Sequence, residues 1–255
     1  MTELDTWLES LAPAHRQWVR QIIDGDRRGW WREELAKPGS TRQSLEDGFW
    51  HVDVMNEITR QARSHAAVVD GVAAVLQTCT IVRPDQRWDR FESLDVASDQ
   101  ELLGRWLLRA CTESAPGPEI TGLWFGLFNP VAEDGRVTCD MYIAGSPYDP
   151  DDDDWRCSVA WKPDGAYARS FVLSQLYSIA YPAGGDAFAD AEWALGLAYA
   201  ALVVRQLVVD HGAAVLGAAP QRVITVGFDS GDSLPIGAIG PKGLVFSEGQ
   251  EGIPG

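Results

Sequence analysis

The densest group of side chains that could take part in chemistry is a run of carboxylates in the second half of the chain. The run is Tyr148, Asp149, Pro150, Asp151, Asp152, Asp153, Asp154 and Trp155. Burying even one unpaired carboxylate costs several kcal/mol or more, so this run must face water, a metal ion or a basic partner. We therefore treat residues 148–155, called the acidic loop below, as the candidate functional segment.

A calcium site is the first chemistry that the spacing of the acidic loop suggests. Asp149, Asp151 and Asp153 alternate as the first oxygen ligands of a helix-flanked calcium loop do. The match ends there, because Asp154 stands where that loop needs glycine and Ala160 where it needs a bidentate carboxylate. A looser divalent-metal site stays open as an alternative.

Three aromatic residues flank the acidic run and bear on the same choice. Tyr148, Trp155 and Trp161 are residue types that anchor protein interfaces. The same rings can equally fasten a loop to the body of a protein, and the sequence leaves both roles open. We favour a loop that docks on a basic partner protein, with these rings as apolar anchors and with no cofactor.

The overall charge supports a partner of opposite sign. The 255-residue chain has 37 acidic and 21 basic side chains, a formal net charge of -16. Residues 119–255 hold 18 of the acidic and 7 of the basic ones, a balance of -11. Such a field repels nucleic acid and anionic membranes and attracts basic proteins and cations. Solubility alone is the competing explanation of the charge.

Cysteine usage and hydropathy indicate a cytoplasmic protein. The four cysteines form no C-x-x-C pair, so we expect free thiols, although Cys139 and Cys157 could meet across neighbouring strands. The first residues are acidic and carry no apolar signal core. The longest charge-free apolar run, Trp193 to Val204, is too short to span a bilayer.

Two other groups of polar residues have structural explanations. His51, Asp53 and Glu57 are metal-ligand types, but a helix would place His51 and Asp53 about 200° apart. The segment 229–232, Asp-Ser-Gly-Asp, lacks the strand-to-helix context of a nucleophile, and we interpret it as a hairpin turn.

The periodicity predicts an α+β fold. Helical spacing dominates 1–115, where Ser98 and Glu101 form a capping box for a helix over 98–113. After Pro116-Gly117-Pro118 the period changes to two. The predicted elements of 119–255 are strands at 123–128, 137–144, 222–228, 234–239 and 243–246, helices at 168–180 and 187–210, and a polar loop from 145 to 164. The helical region should pack on a small antiparallel sheet and these two helices, as two regions or one continuous domain.

Three segments are similar to segments of uncharacterised actinobacterial proteins, namely 122–128, 148–155 and 160–165. In general character (acidic, tryptophan-rich, α+β, without catalytic motifs) the chain resembles immunity proteins of bacterial polymorphic-toxin systems. The resemblance implies an inhibitor that neutralises a basic toxin through the acidic loop, and it assigns no residue a role. The alternatives are an enzyme with a pocket between helices and sheet, using a divalent metal at the acidic loop, or a structural subunit that is stable only with its partner.

Overall fold

A computed structural model describes most of the chain as an α+β fold, the class that the sequence predicts. It describes residues 3–10, 13, 16, 17, 20, 42–131, 135, 137–152, 154–183, 185–229 and 231–246. The helices are α1 (Glu3–Ser10), α2 (Arg42–Ala62), α3 (Val68–Val82), α4 (Val96–Glu113), α5 (Phe171–Ala180), α6 (Ala189–Asp210) and α7 (Gly212–Leu216). The strands are β1 (Gly122–Phe128), β2 (Asp140–Ser146), β3 (Tyr167–Ala168), β4 (Arg222–Phe228), β5 (Ser233–Gly240) and β6 (Gly243–Phe246), and short 3₁₀ turns lie at Gln86–Phe91 and Trp155–Cys157.

The strands form one six-stranded sheet in the order β3-β2-β1-β4-β5-β6. Every neighbouring pair is antiparallel except β1 and β4, which run parallel with Gly122 opposite Val223. The sheet is therefore larger than the small antiparallel sheet that the sequence suggests, and it is mixed. The cause is the connection through α5 and α6, which returns the chain so that β4 lies beside β1 in the same direction.

Helix α6 occupies the centre of the fold, packed against α2, α3, α5 and β4. By length and composition it is the one helix among the described residues that could cross a membrane, with a mean hydropathy of 1.4 in its most apolar window. Within this fold 78% of that window is buried. An apolar helix that is surrounded by other elements is what the core of a folded domain requires.

Gly71 lies where α3 and α6 approach each other closely. Glycine is unfavourable in the interior of a helix, yet α3 runs through Gly71 without a break. A Cβ at this position would lie 2.8 Å from Cδ1 of Leu202 in α6. The missing side chain therefore sets how closely the two helices can pack.

A fully buried carboxylate joins three of the helices. Asp99 of α4 accepts hydrogen bonds from the Ser170 hydroxyl at 2.5 Å, the Tyr199 hydroxyl at 2.6 Å and the Phe171 backbone N–H at 2.7 Å. Ser170 in turn caps the first turn of α5. Burial and the contact with Asp99 raise the pKa of Tyr199, so this phenol stays a donor. The network stabilises α5 on the core because every one of these buried groups is hydrogen-bonded.

Two buried arginines hold loop backbone. Arg205 of α6 donates to the carbonyls of Ser64 and Ala66, each at 2.6 Å, just beyond the end of α2. Arg222 of β4 donates to carbonyls of the 116–120 segment. Desolvation by burial lowers the pKa of both guanidinium groups. The core cluster draws side chains from both sides of this segment, and whether 1–115 and 119–255 fold as separate units stays a prediction.

Several predicted boundaries needed correction. Helix α4 begins at Val96 and is capped by Asp95, whose side chain accepts the Ser98 N–H at 3.2 Å, so the capping box at Ser98 was wrong. Strand β2 begins at Asp140, three residues later than predicted. Helix α6 ends at the predicted place, and the short α7 follows it directly. Between the strands predicted at 123–128 and 137–144, residues 132–134 and 136 lie outside the described residues.

The cysteines are free thiols, as expected, and Cys139 and Cys157 do not meet. Cys157 is exposed and the other three are buried. Burial raises the pKa of Cys111 to about 11 and raises those of Cys79 and Cys139 as well.

Candidate functional site

The two faces of the sheet differ in what covers them. Leu123, Phe125 and Leu127 of β1 point to the helices and belong to the main core cluster. Trp124, between them, is also buried but stands outside that cluster. This second face, called the outer face below, is crossed by the segment 147–166 that contains the acidic loop. Both faces of β1 are thus covered, which suits a strand whose residues are apolar on both sides.

Glycines in β1 make room for aromatic rings on the outer face. A Cβ at Gly122 would lie 2.5 Å from Cζ3 of Trp155, so the indole rests directly on the strand backbone. A Cβ at Gly126 would overlap the ring of Tyr142, its partner across β1 and β2. Gly122 and Gly126 lie on the same face of β1, and the absence of a side chain at each lets one aromatic ring pack against the strand backbone.

The tryptophans of the 147–166 segment fasten it to the body of the protein. Trp155 is only 6% exposed and meets the Tyr148 ring edge-on at 5.4 Å between centroids. Trp161 donates its indole N–H to the Ser114 carbonyl at 2.8 Å, and its backbone pairs with Gly145. Tyr148 keeps 37% of its surface exposed. Of the three predicted anchors, Tyr148 is therefore the one with the most surface left for a partner.

The acidic loop is folded on itself by its own carboxylates. Asp149 accepts the Asp151 N–H at 3.0 Å, and Asp152 accepts the Asp154 N–H at 2.9 Å. These two successive turns leave all four side chains exposed. Asp153 lies outside the described residues.

Positive charge near the acidic loop is sparse. Among the described residues no ion pair involves Asp149, Asp151, Asp152 or Asp154. The nearest basic side chain along the chain, Arg156, donates to the Ser233 hydroxyl at 3.1 Å and lies over the Trp124 ring at 5.4 Å. The loop therefore presents negative charge that the described part of the fold does not pair.

At the other end of β1 the outer face contains a cavity of about 340 Å³. We call it the aromatic pocket, and its lining residues are Phe128, Tyr142, Ala144, Val159, Lys162, Tyr167 and Asp229. The rings of Phe128, Tyr142 and Tyr167 touch one another, with centroids between 5.2 and 5.9 Å apart.

A chain of hydrogen bonds fixes the polar wall of the aromatic pocket. The Trp124 indole N–H donates to the Tyr142 hydroxyl at 3.0 Å, and that hydroxyl donates to Oδ1 of Asp229 at 2.7 Å. Burial and the bond to Asp229 raise the pKa of Tyr142, so the phenol stays protonated and keeps donating. The Asp229 carboxylate is thereby held in one orientation at the pocket.

Metal-binding geometry is not found in the described part of the chain, where no group of three or more His, Cys, Asp or Glu side chains is placed to hold an ion. His51 and Asp53 lie on the continuous helix α2, which places them about 200° apart around its axis. His51 meets the Trp193 ring edge-on at 4.9 Å, and Glu57 accepts from Arg60 and Gln61.

Sequence reasoning missed the aromatic pocket altogether. Its members come from separate segments, and Lys162, Tyr167 and Asp229 carry no motif. The turn at 229–232 is a hairpin turn, as predicted, with the Phe228 N–H donating to the Asp232 carbonyl at 2.9 Å. A signal was nevertheless present, because β1 places Gly122, Trp124, Gly126 and Phe128 on one face, alternating bare backbone with rings.

The fold and site together define an α+β protein whose mixed sheet carries an acidic and aromatic outer face. No protein-family model matches the chain, and neither a curated protein nor a solved structure is detectably similar to it.

Proposed function

We propose that the chain is a protein-binding inhibitor of the immunity type, whose acidic loop covers the basic site of a partner protein such as a toxin. The observation that carries the proposal is the group of four exposed carboxylates, Asp149, Asp151, Asp152 and Asp154, which form no ion pair with any described residue. A protein surface of opposite charge is the partner that such a group recognises best.

Electrostatics favours a basic protein over other partners. With a net charge of -16 the chain repels nucleic acid and anionic membranes at long range. The same field raises the rate of encounter with a basic protein, in favourable cases from about 10⁵–10⁶ M⁻¹s⁻¹ to about 10⁸ M⁻¹s⁻¹ or more at low salt. The acidic loop concentrates this field at one end of the outer face.

The loop is also ordered before a partner arrives. Its two turns use backbone N–H groups as donors to its own carboxylates, and Trp155 holds the end of the run against Gly122. Immobilising a side chain on binding costs about 0.5–1.5 kcal/mol each, and a preformed loop avoids part of that cost. A preformed loop therefore favours tight binding to one partner over weak, unspecific attraction by charge.

An enzyme that uses a divalent metal at the acidic loop is the alternative that the sequence leaves open. The carboxylates of Asp149 and Asp152 each use one oxygen to accept a backbone N–H group, that of Asp151 and that of Asp154 respectively. No observation of the described residues favours this alternative, and we do not propose it.

The experiment is an association measurement in which only the loop charge is changed. The protein serves as bait in lysate of its native host at low salt, and the captured basic protein is then studied by stopped-flow kinetics. One variant replaces four loop carboxylates by asparagine, which still forms the turns: Asp149, Asp151, Asp152 and Asp154. A matched control neutralises four exposed acids on the helical side: Asp70, Asp89, Glu92 and Glu101.

The loop variant should associate about tenfold more slowly at low salt and show a flatter salt dependence. The control variant should change the rate far less, because its charges lie away from the docking face. Equal rates for the two variants would show that net charge alone steers the partner and would refute the docking role of the loop.

A further inference from the structure

The aromatic pocket already holds a cation. The Lys162 ammonium lies 4.4 Å from the ring centroid of Tyr167 and 5.8 Å from that of Tyr142, and it donates to the Tyr167 hydroxyl at 2.6 Å. Aromatic faces attract cations through the ring quadrupole, within about 6 Å of the centroid. The three clustered rings and this lysine of the same chain show that the pocket provides a surface for positive charge.

The carboxylate of Asp229 provides the directional part of the pocket. Its Oδ1 takes the Tyr142 hydroxyl, and its backbone N–H donates to the Leu127 carbonyl at 3.1 Å. No hydrogen bond between described residues uses Oδ2 of Asp229. One oriented acceptor therefore remains at the wall of a cavity whose lining includes three aromatic rings.

We propose that the aromatic pocket receives an arginine side chain of the basic partner protein, which displaces Lys162 from the rings. The guanidinium group is planar, stacks on aromatic faces and presents several donors in one plane, so it can lie against Tyr167 and donate to Asp229 together. A lysine ammonium lacks the planar face. The cavity of about 340 Å³ has room for the guanidinium and part of its stem.

The pocket lies within reach of a partner that is bound at the acidic loop, so the inference rests on the proposed function. Phe128 at the pocket lies six residue steps along β1 from Gly122, which is under Trp155, a distance of about 20 Å along the strand. A typical interface covers about 800 Å² on each partner, which is about 30 Å across. One partner can therefore place basic groups on the loop and an arginine in the pocket.

The test uses small peptides, so it does not depend on knowing the partner. Acetyl-Gly-Arg-Gly-amide is titrated into the full chain and followed by NMR, with the citrulline and lysine analogues as comparisons. Citrulline keeps the size and planarity of the arginine head but not its charge. Arginine should bind at least threefold tighter than either analogue, and its methylene protons should shift upfield from the ring currents.

Variants of the lining separate the pocket from general electrostatics. Tyr167→Leu should lower the arginine affinity about two- to fivefold, the range of one exposed cation–π contact. Asp229→Asn should lower it by a similar factor, the range of one exposed ion pair. Lys162→Met should raise the affinity by a similar factor, because it removes the ammonium group that competes with arginine for the aromatic rings. Lys242→Met, in the turn between β5 and β6, removes the same charge elsewhere and should leave the affinity nearly unchanged.

Three outcomes would overturn the inference: citrulline binding as well as arginine, equal effects of the two lysine variants, or wild-type affinity in Tyr167→Leu. The asparagine variant of the acidic loop should leave the ring-current shifts of the arginine peptide in place. Failure of the proposed function is seen separately, as an unchanged association rate in that loop variant. A silent peptide titration beside a loop-dependent rate therefore refutes the pocket assignment alone.

Discussion

Replacing Gly126 by alanine tests whether the aromatic pocket is built on bare strand backbone. The added Cβ would overlap Cε1 and Cζ of the Tyr142 ring and lie 2.6 Å from the indole nitrogen of Trp124. Carbon atoms in contact are about 3.5–4.0 Å apart, so the ring has to move by about 1 Å or more. A shift of that size breaks the hydrogen bonds of the Tyr142 hydroxyl to Trp124 and Asp229, now 3.0 and 2.7 Å long.

The size of the effect follows from those two bonds. At about 1 kcal/mol each, their loss lowers the free energy of unfolding by about 2 kcal/mol. Residual crowding on the outer face costs about 1 kcal/mol more, and removing a glycine from a strand returns about 0.5–1 kcal/mol. The net loss is about 2 kcal/mol, which for a chain of this length lowers Tm by about 4–8 °C.

A double-mutant cycle with Tyr142→Phe connects this loss to the hydroxyl group. In the wild-type background Tyr142→Phe should cost about 1–2 kcal/mol, and in the Gly126→Ala background close to nothing, because the bonds are already broken. Urea unfolding followed by tryptophan fluorescence measures all four corners. An equal cost in both backgrounds would mean that the hydroxyl kept its partners, and would refute the close packing of Tyr142 on β1.

Other predictions concern the core and the thiols. Gly71→Ala should lower the free energy of unfolding by about 1–3 kcal/mol, because Leu202 must move. Gly196→Ala should raise it by about 0.5–1 kcal/mol, because the added Cβ would lie 3.7 Å from its nearest neighbour and crowd nothing. Thermal melts in which the Gly71→Ala variant is the more stable of the two would contradict the packing. Arg205→Met keeps the stem but leaves buried carbonyls without donors, so urea unfolding should show a loss of about 3 kcal/mol, and a loss below 1 kcal/mol would contradict it. At pH 8 an alkylating reagent should modify only Cys157 in the folded protein, because the other three thiols are buried and have raised pKa values. Peptide mass spectrometry measures this, and a second alkylated cysteine peptide would contradict the burial of the other thiols.

The local signals of the sequence were sufficient for most strands. β4 at 222–228 and β6 at 243–246 have the predicted bounds, because apolar residues there are bounded by turn-forming Gly, Pro and Asp. What the sequence could not supply was the parallel pairing of β1 with β4. That pairing joins strands about a hundred residues apart and depends on how α5 and α6 pack between them.

The part of the candidate site formed by residues adjacent in sequence was predictable, and the part formed by residues from distant segments was not. Asp149, Asp151, Asp152 and Asp154 of the acidic loop are exposed, as their charge requires, because unpaired carboxylates are too costly to bury. The two roles left open for Trp155 and Trp161 are distinguished only by burial and partners, and both rings lie against the body of the protein. Lys162 and Asp229 are brought together by the segment that crosses the outer face, and no sequence period predicts that crossing.

The order of the acidic loop comes from the hydrogen bonds of its two turns and from apolar contact, while the mutual repulsion of its charges opposes it. Two exposed carboxylates about 6 Å apart repel each other by about 0.7 kcal/mol in water, so four of them oppose the loop by a few kcal/mol at most. Burying Trp155 to 6% exposure removes about 150–250 Å² from water, a gain of about 4–6 kcal/mol at about 25 cal/mol per Å². The burial outweighs the repulsion, so the loop needs no bound cation to stay folded. Its carboxylates are therefore held together in advance and free to be matched by the basic surface of a partner, which is the physical reason for preferring an inhibitor.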